Sequence, residues 1–191
     1  MLGKLGMMIR KASIALLLSL LLACCAGPAN LHKVDDKVWR SGQPARYQFR
    51  ELRKQGVGEV LCLRRWHSDI DEAPGMDLHH VRMNAGKIKD EQIVRALQAI
   101  LAADQPILVH CFHGADRTGA VIAMYRMVVQ GWPRQKAIDE FMDPKYGHHA
   151  DYFPNIREYL EKVDIGKIRR EVFTSPAPRS DTHAELQLGP S

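Results

Sequence analysis

Residues 106–119 read PILVHCFHGADRTG, and this stretch decides the fold that we expect. An apolar run of strand length ends at His110, a loop containing Gly114 follows, and a helical pattern begins near Arg117. A buried strand, a short glycine-containing loop and a helix in this order are typical of α/β proteins. In such proteins the loop lies at one edge of the sheet, where backbone N–H groups and a helix N-terminus can bind an anion.

The rest of the central sequence alternates in the same way between strand-length and helix-length segments. Gly56 and Gly131 end predicted helices, and Pro133 suits a first helical turn. Strands are predicted at residues 37–40, 58–63, 79–83 and 106–110, and helices at 46–55, 90–103, 117–130, 133–142 and 151–163. We therefore predict an α/β fold with a central, mostly parallel sheet flanked by helices, in which a Cys-x5-Arg loop joins a strand to a helix.

The composition fits one globular domain with terminal extensions. The chain has 191 residues, of which 46% are hydrophobic and 26% are charged, and its formal net charge is +5. The basic residues are scattered rather than grouped in a stripe with aromatic residues, so we expect no nucleic-acid partner. The four cysteines, at positions 24, 25, 62 and 111, form no CxxC pattern, and we expect neither a metal nor another cofactor.

The first 23 residues are predicted to be a signal peptide. Basic residues precede an apolar run over residues 12–23, which is too short to span a membrane. The end of that run, Leu21-Leu22-Ala23-Cys24, resembles the bacterial lipobox, in which the cysteine becomes the lipidated first residue. The resemblance implies export to the periplasm and a lipid anchor at Cys24, and Cys25 in the second position is typical of an outer-membrane destination. The alternative is an ordinary cleaved signal peptide.

The loop after His110 has the residue types of a phosphate-binding catalytic site. The N–H groups of residues 112–117 can point into one concavity at the helix N-terminus, and this arrangement favours the thiolate form of Cys111. Arg117 can offer two parallel N–H donors to a phosphate, and Thr118 can donate a hydrogen bond to the departing sulfur. His110 is expected to order the loop from behind. The predicted phosphate-binding residues are Phe112, His113, Gly114, Ala115, Asp116 and Arg117, and the catalytic residues of this stretch are Cys111, Arg117 and Thr118.

The motif His-Cys-x-x-Gly-x-x-Arg-Thr after a buried strand resembles the signature of the protein tyrosine phosphatase superfamily. The small size and the run Trp39-Arg40-Ser41-Gly42-Gln43-Pro44 before a helix resemble its compact dual-specificity branch, and the resemblance covers residues 37–163. It implies that Cys111 attacks phosphorus and that water then hydrolyses the phosphocysteine without a metal. The implied substrate is a phosphorylated protein, with phosphotyrosine first and phosphoserine or phosphothreonine besides, or a small phosphomonoester.

The expected phosphatase domain spans residues 37–165. It follows a lipidated N-terminal linker over residues 24–36 and precedes a C-terminal tail over residues 166–191. From about Thr174 the sequence is polar and rich in proline, so we expect this tail to be largely disordered.

The general acid has three candidates. Members of the superfamily use an aspartate on the loop after the preceding strand, but here the expected early position holds Asn84, which has no proton to give. Asp90, at the end of the same loop, is the first candidate, although an aspartate there is also a natural helix N-cap. Asp116 is the second, by resemblance to myotubularin-like phosphatases, and Asp77 is the third. A leaving group that needs no proton is the remaining alternative.

Two other functions stay open. Inositol phosphate and phosphoinositide phosphatases use the same scaffold, but they commonly carry basic residues within the signature loop, and residues 112–116 contain none. A catalytically weak, phosphate-binding lipoprotein is the alternative of another class, because the acid is missing at Asn84. The presence of Cys111, Arg117 and Thr118 speaks against that alternative.

Cys62 ends a predicted strand beside the strand that precedes Cys111. Some lipid phosphatases of the superfamily carry a second cysteine at the matching strand end. This resemblance implies that Cys62 and Cys111 come within disulfide reach, with Cα atoms about 4.4–6.8 Å apart, so that oxidation would switch the enzyme off reversibly. The alternative is that Cys62 is a small core residue.

Histidines occur in the loop at His113 and as the adjacent pair His148-His149. His113 is expected at the rim of the loop, where it could contact the substrate or the attacking water. Two adjacent histidines rarely face one ion, so we expect residues 145–149 to pack near the site rather than to bind a metal.

Overall fold

The structure is a computed structural model that describes residues 27–174. The predicted signal peptide, the predicted lipidation site Cys24 and residues 175–191 of the predicted tail lie outside the described residues. Export, lipidation at Cys24 and disorder of residues 175–191 therefore stay predictions.

A five-stranded sheet forms the centre of the described chain. The strands are β1 His32–Lys33, β2 Val38–Ser41, β3 Glu59–Cys62, β4 Asp77–His80 and β5 Ile107–His110. Their spatial order is β1-β2-β5-β3-β4, in which β1 is antiparallel to β2 and the other neighbours are parallel. The predicted mostly parallel α/β sheet is confirmed. The strand β5, which ends at the first residue of the motif His-Cys-x-x-Gly-x-x-Arg-Thr, lies in its middle.

Helices cover both faces of this sheet. They are α1 Arg46–Lys54, α2 Asp90–Ala102, α3 Asp116–Val128, α4 Arg134–Met142, the 3-10 helix Pro144–Tyr146, α5 Pro154–Lys162 and α6 Ile165–Thr174. Pro133 directly precedes α4 and Pro154 begins α5, positions that suit the fixed φ of proline. Within residues 27–174, no helix is both long and apolar enough to cross a membrane.

The two faces of the sheet pack against different helices because side chains alternate along each strand. Val60 and Leu108 point to the face covered by α1, where Leu52 is buried; we call it the α1 face. Leu61 and Val109 point to the opposite face, which is covered by α2 to α6 and which we call the five-helix face. The carboxyl ends of β2, β5, β3 and β4 meet at one edge between these layers, and the predicted catalytic loop lies at that edge.

The packed domain is longer at both ends than predicted. Residues 27–36, expected to belong to a linker, include β1, and the Ala29 carbonyl accepts a hydrogen bond from the Gly42 N–H at 2.7 Å. At the other end α6 replaces the first part of the predicted tail, because Ile168 and Val172, four residues apart, are buried against the five-helix face. These two segments correct both predicted boundaries of the domain.

Candidate active site

The signature loop, residues 111–117, joins the end of β5 to the start of α3. Cys111 is buried at the base of this loop. In the described part of the chain, no backbone N–H of residues 112–117 donates a hydrogen bond to another protein group. Because these amides lie at the N-terminus of a 13-residue helix, the loop has the donors that an anion cradle requires.

The carbonyl groups of the loop are held from outside. The donors are the Gln43 N–H to Phe112 (3.0 Å), the Asn30 side chain to His113 (3.4 Å) and the Arg40 guanidinium to Gly114 (2.8 Å). The carbonyls therefore face the surrounding protein, which leaves the amides free to face the concavity. Two of these donors belong to residues 39–44, the run that carries part of the family resemblance.

Gly114 lets the loop approach the turn after β2. Its φ is +73°, a conformation that favours glycine. A Cβ atom at this position would lie 2.4 Å from the Gly42 nitrogen and from the Ser41 carbonyl carbon. Both are backbone atoms that cannot move aside, so a larger residue would displace the loop.

Arg40 is a buried cation behind the loop that the sequence analysis did not identify as functional. It is 1% exposed, and its guanidinium lies 4.0 Å from the centroid of the Tyr146 ring. Burial lowers the pKa of Arg40, although an arginine remains a cation in proteins. Its bond to Gly114 holds the middle of the loop and places positive charge behind the anion cradle.

Arg117 and Thr118 lie in the first turn of α3, as predicted. Among the described residues, none forms an ion pair or a hydrogen bond with Arg117, and its Nε is buried without a partner. An uncommitted guanidinium beside an anion cradle is what a phosphate clamp requires. The Thr118 hydroxyl is also buried and has no partner within residues 27–174, so the predicted bond to the Cys111 sulfur is not formed in this conformation.

His110 is held behind the loop by an aspartate that the sequence analysis missed. Its Nε2 lies 2.7 Å from the Asp69 carboxylate and its Nδ1 lies 3.2 Å from the Cys111 carbonyl. Gln43 donates a further bond to Asp69 at 2.8 Å. Burial opposes ionisation of Asp69, but the bonds from His110 and Gln43 outweigh it and lower the pKa to about 2. This pair supports the predicted role of His110 in ordering the loop.

The Asp116 carboxylate faces the pair His148-His149. Its Oδ1 accepts hydrogen bonds from His148 Nδ1 (2.9 Å) and from the His149 N–H (3.0 Å), and its Oδ2 lies 2.9 Å from His149 Nδ1. Burial opposes ionisation, but the bonds from His148 and His149 lower the pKa of Asp116 to about 2. Such a carboxyl is ionised at neutral pH and has no proton to donate, which argues against Asp116 as the general acid.

The other two acid candidates make their described contacts elsewhere. Asp90 begins α2, and its carboxylate accepts hydrogen bonds from the Tyr159 hydroxyl (3.0 Å) and from Lys167 Nζ (2.8 Å). The N-cap of α2 is Lys89, so the N-cap alternative for Asp90 was wrong. Asp77 begins β4 at the amino edge of the sheet, opposite to the edge that carries the signature loop. The contacts of Asp90 favour a structural role, and its catalytic role stays a prediction.

The two described cysteines are free and lie on opposite faces of the sheet. Cys62 pairs in register with His110, lies close to Asp69 and donates a hydrogen bond to the His67 carbonyl at 3.5 Å. Cys111 packs on the five-helix face. Burial raises the pKa of the Cys62 thiol, which keeps it protonated. The structure therefore gives the predicted disulfide no support, and Cys62 fits the alternative of a small buried residue.

Aromatic rings line one side of the loop. The ring centroids of Phe112 and His113 lie 4.7 Å apart, those of His113 and His149 lie 4.9 Å apart, and those of His149 and Tyr152 lie 6.5 Å apart. Phe112 is 53% exposed and Tyr152 is 79% exposed. We call this row the aromatic rim. An exposed row of rings beside an anion cradle fits a ligand that carries a flat aromatic group.

A groove of about 370 Å³ lies along the loop that follows β4. Four cations, two amides and a tryptophan line it: Arg65, Arg82, Lys87, Lys89, Asn84, Gln92 and Trp66. We call it the basic groove, because no carboxylate is among these lining residues. Arg64, which directly precedes the groove residue Arg65, links the groove to the signature loop. Its guanidinium donates a hydrogen bond to the Gln43 side chain at 2.9 Å and lies 5.1 Å from the Phe112 ring centroid.

Known proteins of similar sequence fit this geometry. A family model described as "Tyrosine phosphatase family" matches residues 26–174. The dual specificity protein phosphatase TpbA of Pseudomonas aeruginosa is 30% identical over 147 residues, which cover 73% of this chain and 65% of that protein. The inositol diphosphatase DSP2 of Oryza sativa subsp. japonica is 32% identical over 125 residues, which cover 60% of this chain and 61% of that protein. The chain thus spans less than two thirds of the length of these curated relatives.

A solved structure resembles the fold over most of the described residues. It is the crystal structure of P. aeruginosa TpbA, as a cysteine-to-serine variant in complex with pTyr. The TM-score is 0.69 at 26% sequence identity, and the match covers 76% of this chain and 91% of that chain.

Proposed function

Because this chain belongs to the tyrosine phosphatase family, we propose that it is a cysteine-dependent phosphatase that hydrolyses phosphomonoesters through a phosphocysteine at Cys111. The observation that carries the proposal is the signature loop, in which uncommitted amides and the uncommitted Arg117 follow directly on Cys111. None of these donors has to break an existing contact before it binds a phosphate. Such preorganised donors are the main source of stabilisation for charge that develops in a transition state.

The proposed reaction has two steps on the residues of the loop. In the first, the Cys111 thiolate attacks phosphorus, an S–P bond forms, and the P–O bond to the leaving group breaks while the amides and Arg117 bind the non-bridging oxygens. In the second, water attacks phosphorus, the S–P bond breaks, and inorganic phosphate leaves. The Thr118 hydroxyl, which has no partner among the described residues, can donate to the departing sulfur. His110 and Arg40 are positioning residues, because they hold carbonyls of the loop.

Phosphotyrosine is the substrate class that the aromatic rim favours. A tyrosyl ring attached to a phosphate in the cradle would lie within reach of Phe112 and His113, which belong to the loop itself. Ring pairs of this kind contribute roughly 0.5–1.5 kcal/mol beyond the area that they bury. TpbA, which this chain resembles, forms a complex with pTyr. Phosphoserine, which has no ring to place on the rim, should be a slower substrate.

An inositol diphosphate is the second candidate substrate. Residues 112–116 of the signature loop contain no basic residue, but the basic groove beside them carries four cations that can bind further phosphates. The amide at Asn84 favours the same substrate on chemical grounds. A diphosphate releases a phosphate whose second pKa is about 6, whereas tyrosine has a pKa of about 10, so the diphosphate needs less help from an acid. One relative, DSP2, is named an inositol diphosphatase.

The substitution Cys111→Ser tests the proposed chemistry. A serine hydroxyl stays protonated where a thiol can ionise, so the full-length variant should lose turnover while it still binds phosphate. Cys62→Ser is the matched control. It makes the same exchange at the other described thiol and should keep most of its activity, because the serine hydroxyl can still donate to the His67 carbonyl. Substantial hydrolysis by Cys111→Ser in the presence of a chelator would exclude the phosphocysteine pathway.

A pair of variants separates the two substrates. Tyr152→Ala removes the outer ring of the aromatic rim, and Lys87→Ala removes one charge of the basic groove. If phosphotyrosine is the substrate, Tyr152→Ala should lower kcat/KM for a phosphotyrosine peptide several-fold and Lys87→Ala should leave it unchanged. A higher kcat/KM on an inositol diphosphate, which falls with Lys87→Ala, would establish the second candidate instead.

We also propose that the protein is exported to the periplasm and anchored to the outer membrane by a lipid at Cys24. The support is the lipobox resemblance of residues 21–24. Asn30, which contacts the signature loop through the His113 carbonyl, is six residues beyond Cys24. Six extended residues reach at most about 20 Å, so the anchor would keep the catalytic loop within that distance of the membrane surface.

Metabolic labelling with palmitate tests the anchor. The parent chain should carry label in the membrane fraction, and Cys24→Ser should lose both the label and the membrane association. Cys25→Ser is the control and should keep both. An unlabelled parent chain in the soluble periplasmic fraction would favour the ordinary signal peptide.

A further inference from the structure

Two histidines and an aspartate converge on the rim of the signature loop. His113 lies within the loop, Asp116 begins α3, and His149 lies between the 3-10 helix and α5. One ring nitrogen of each histidine and one oxygen of the carboxylate lie within 4.8 Å of one another. We propose that His113, Asp116 and His149 bind a divalent transition-metal ion, with Zn²⁺ as the member of this class that the donors fit best.

The donor set fits Zn²⁺ in kind and in number. Two imidazole nitrogens and one carboxylate oxygen make a three-residue zinc site, which keeps a fourth position for water or another ligand. With bonds of about 2.0–2.2 Å, the donors around a tetrahedral ion lie about 3.4 Å apart. Asp116 Oδ2 and His149 Nδ1, now 2.9 Å apart, must separate by about 0.5 Å, and the donor pairs that lie up to 4.8 Å apart must approach by at most about 1.4 Å. His113 is exposed and the His149 side chain is 37% exposed, so both rings have room for this movement.

The carboxylate is already oriented for an ion. Asp116 Oδ1 is occupied by His148 Nδ1 and by the His149 N–H, which leaves Oδ2 to face the two exposed rings. His148 is itself fixed, since its side chain is 3% exposed and its ring centroid lies 4.2 Å from that of Phe141. Partners of this kind, which hold a ligand in place, are typical of metal sites.

Two other groups within residues 27–174 have comparable spacing but fit less well. In the group Cys62, Asp69 and His110, the Asp69 Oδ2 already lies 2.7 Å from His110 Nε2, so an ion would have to displace the bond that holds His110 behind the signature loop. His67 and Glu72 share the same Asp69, whose oxygens already accept hydrogen bonds from His110 and Gln43. The group formed by His113, Asp116 and His149 is therefore the one in which a carboxylate oxygen lies beside two solvent-accessible imidazole rings.

An ion at this position would act on the catalytic loop. Asp116 directly precedes Arg117, so the ion would lie beside the phosphate cradle. The ion would also tie the loop to the segment before α5 and hold product phosphate in place. We therefore expect reversible inhibition of hydrolysis by Zn²⁺; this effect, unlike the metal site itself, rests on the proposed phosphatase function.

The test measures binding in a protein that has no active thiolate. Full-length Cys111→Ser chain in detergent is titrated with Co²⁺ and with Zn²⁺, and d–d absorption and calorimetry are recorded. We expect one ion per chain, with the visible bands of a four-coordinate Co²⁺ site and no thiolate-to-metal band. Partners that only orient a ligand change metal affinity by about 10–100-fold, so loss of a direct ligand in His113→Ala or His149→Ala should weaken binding at least tenfold.

His67→Ala is the matched control, because it removes a partly exposed histidine from the competing group, and it should leave the affinity unchanged. Three results would each overturn the proposed site. They are absence of binding by Cys111→Ser, an affinity in His113→Ala and His149→Ala equal to that of Cys111→Ser alone, and loss of binding in His67→Ala. None of these readouts requires turnover, so failure of the metal site is distinguishable from failure of the phosphatase proposal.

Discussion

The signature loop and the loop that follows β4, residues 82–89, lie at the same edge of the sheet but are held in different ways. In the signature loop, three carbonyls are bound by other segments and Gly114 fits against backbone. In the loop after β4, Gln92 and Asn155 also bind two carbonyls, those of Arg82 and Ala85, at 2.8 Å each. Asn84, however, bonds within its own loop, to the Gly86 N–H at 3.1 Å and by a bridge with Lys87, and the cations of this loop are exposed. The backbone of the signature loop is thus fixed by close packing at Gly114, whereas the second loop presents exposed charges that can vary without disturbing that packing.

The largest effect should come from removing the clamp of the tightly held loop. Arg117→Lys keeps the charge but loses the planar pair of donors, so kcat/KM for a phosphotyrosine peptide should fall about 10²–10³-fold. Arg82→Lys makes the same exchange in the basic groove and should change this value little. Near-parental kcat/KM for Arg117→Lys would contradict the assignment of Arg117 as a clamp that needs two parallel donors.

A pair of glycine variants tests how tightly the signature loop is packed. Gly114→Ala combines φ of +73° with a contact of 2.4 Å to backbone, whereas Gly131→Ala has a similar φ of +69° and open space within 4 Å. Backbone strain alone costs about 1–3 kcal/mol, so Gly131→Ala should lower Tm by a few degrees and keep activity. Gly114→Ala should lower Tm further and lose at least roughly tenfold in kcat/KM. Similar results for the two variants would refute the close fit.

The buried pair behind the loop predicts a pH dependence of stability. The pKa of Asp69 is about 2 in the folded protein and has an ordinary value of 3.8, so the folded state favours the carboxylate. This contribution is present above about pH 4 and is lost as the pH falls towards 2; a shift of this size corresponds to about 2 kcal/mol. Between pH 5 and 2, the free energy of unfolding from urea titrations should therefore fall more for the parent than for Asp69→Asn.

Asp77→Asn serves as the control for that measurement, because Asp77 is exposed at the far edge of the sheet. Its pH dependence should follow that of the parent. Identical slopes for the parent and for Asp69→Asn would show that the His110 bond does not stabilise the carboxylate.

The smallest effect is expected at the end of the loop after β4. Asp90→Asn weakens the bonds to Tyr159 and Lys167, so Tm should fall slightly while hydrolysis of a tyrosyl phosphate and of an ester with an acidic phenol changes equally, by less than about threefold. A much larger loss on the tyrosyl phosphate would instead support Asp90 as the general acid, because the acidic phenol needs little protonation.

The fold and the centre of the site could be predicted because their signals are local. Cys111, Arg117 and Gly114 lie within seven residues, and the strand and helix that hold them are marked by their own apolar periodicity. The strand at β4 was predicted two residues late. Val81 and Met83 are apolar and buried like strand residues, but they follow the four-residue ladder rather than belong to it.

The supports of the site could not be predicted because they join distant segments. Asp69 stands in a polar run without periodicity, and its function depends on His110, which is 41 residues away. Asp116 and His149 are 33 residues apart, and their pairing depends on the path of the chain after α4. Polar pairs of this kind leave no pattern in a single sequence. The helix α6, in contrast, has an apolar spacing at Ile168 and Val172, but it was assigned to the tail because the residues beyond Thr174 are polar.

The central claim is that Cys111 becomes phosphorylated during turnover. The direct measurement is an acid quench of the full-length chain during hydrolysis of a labelled phosphotyrosine peptide, followed by peptide mapping by mass spectrometry. We expect phosphate on the peptide that contains Cys111 in the parent and none in Cys111→Ser. Hydrolysis by the parent without a phosphorylated cysteine, or with the phosphate on another residue, would contradict the account.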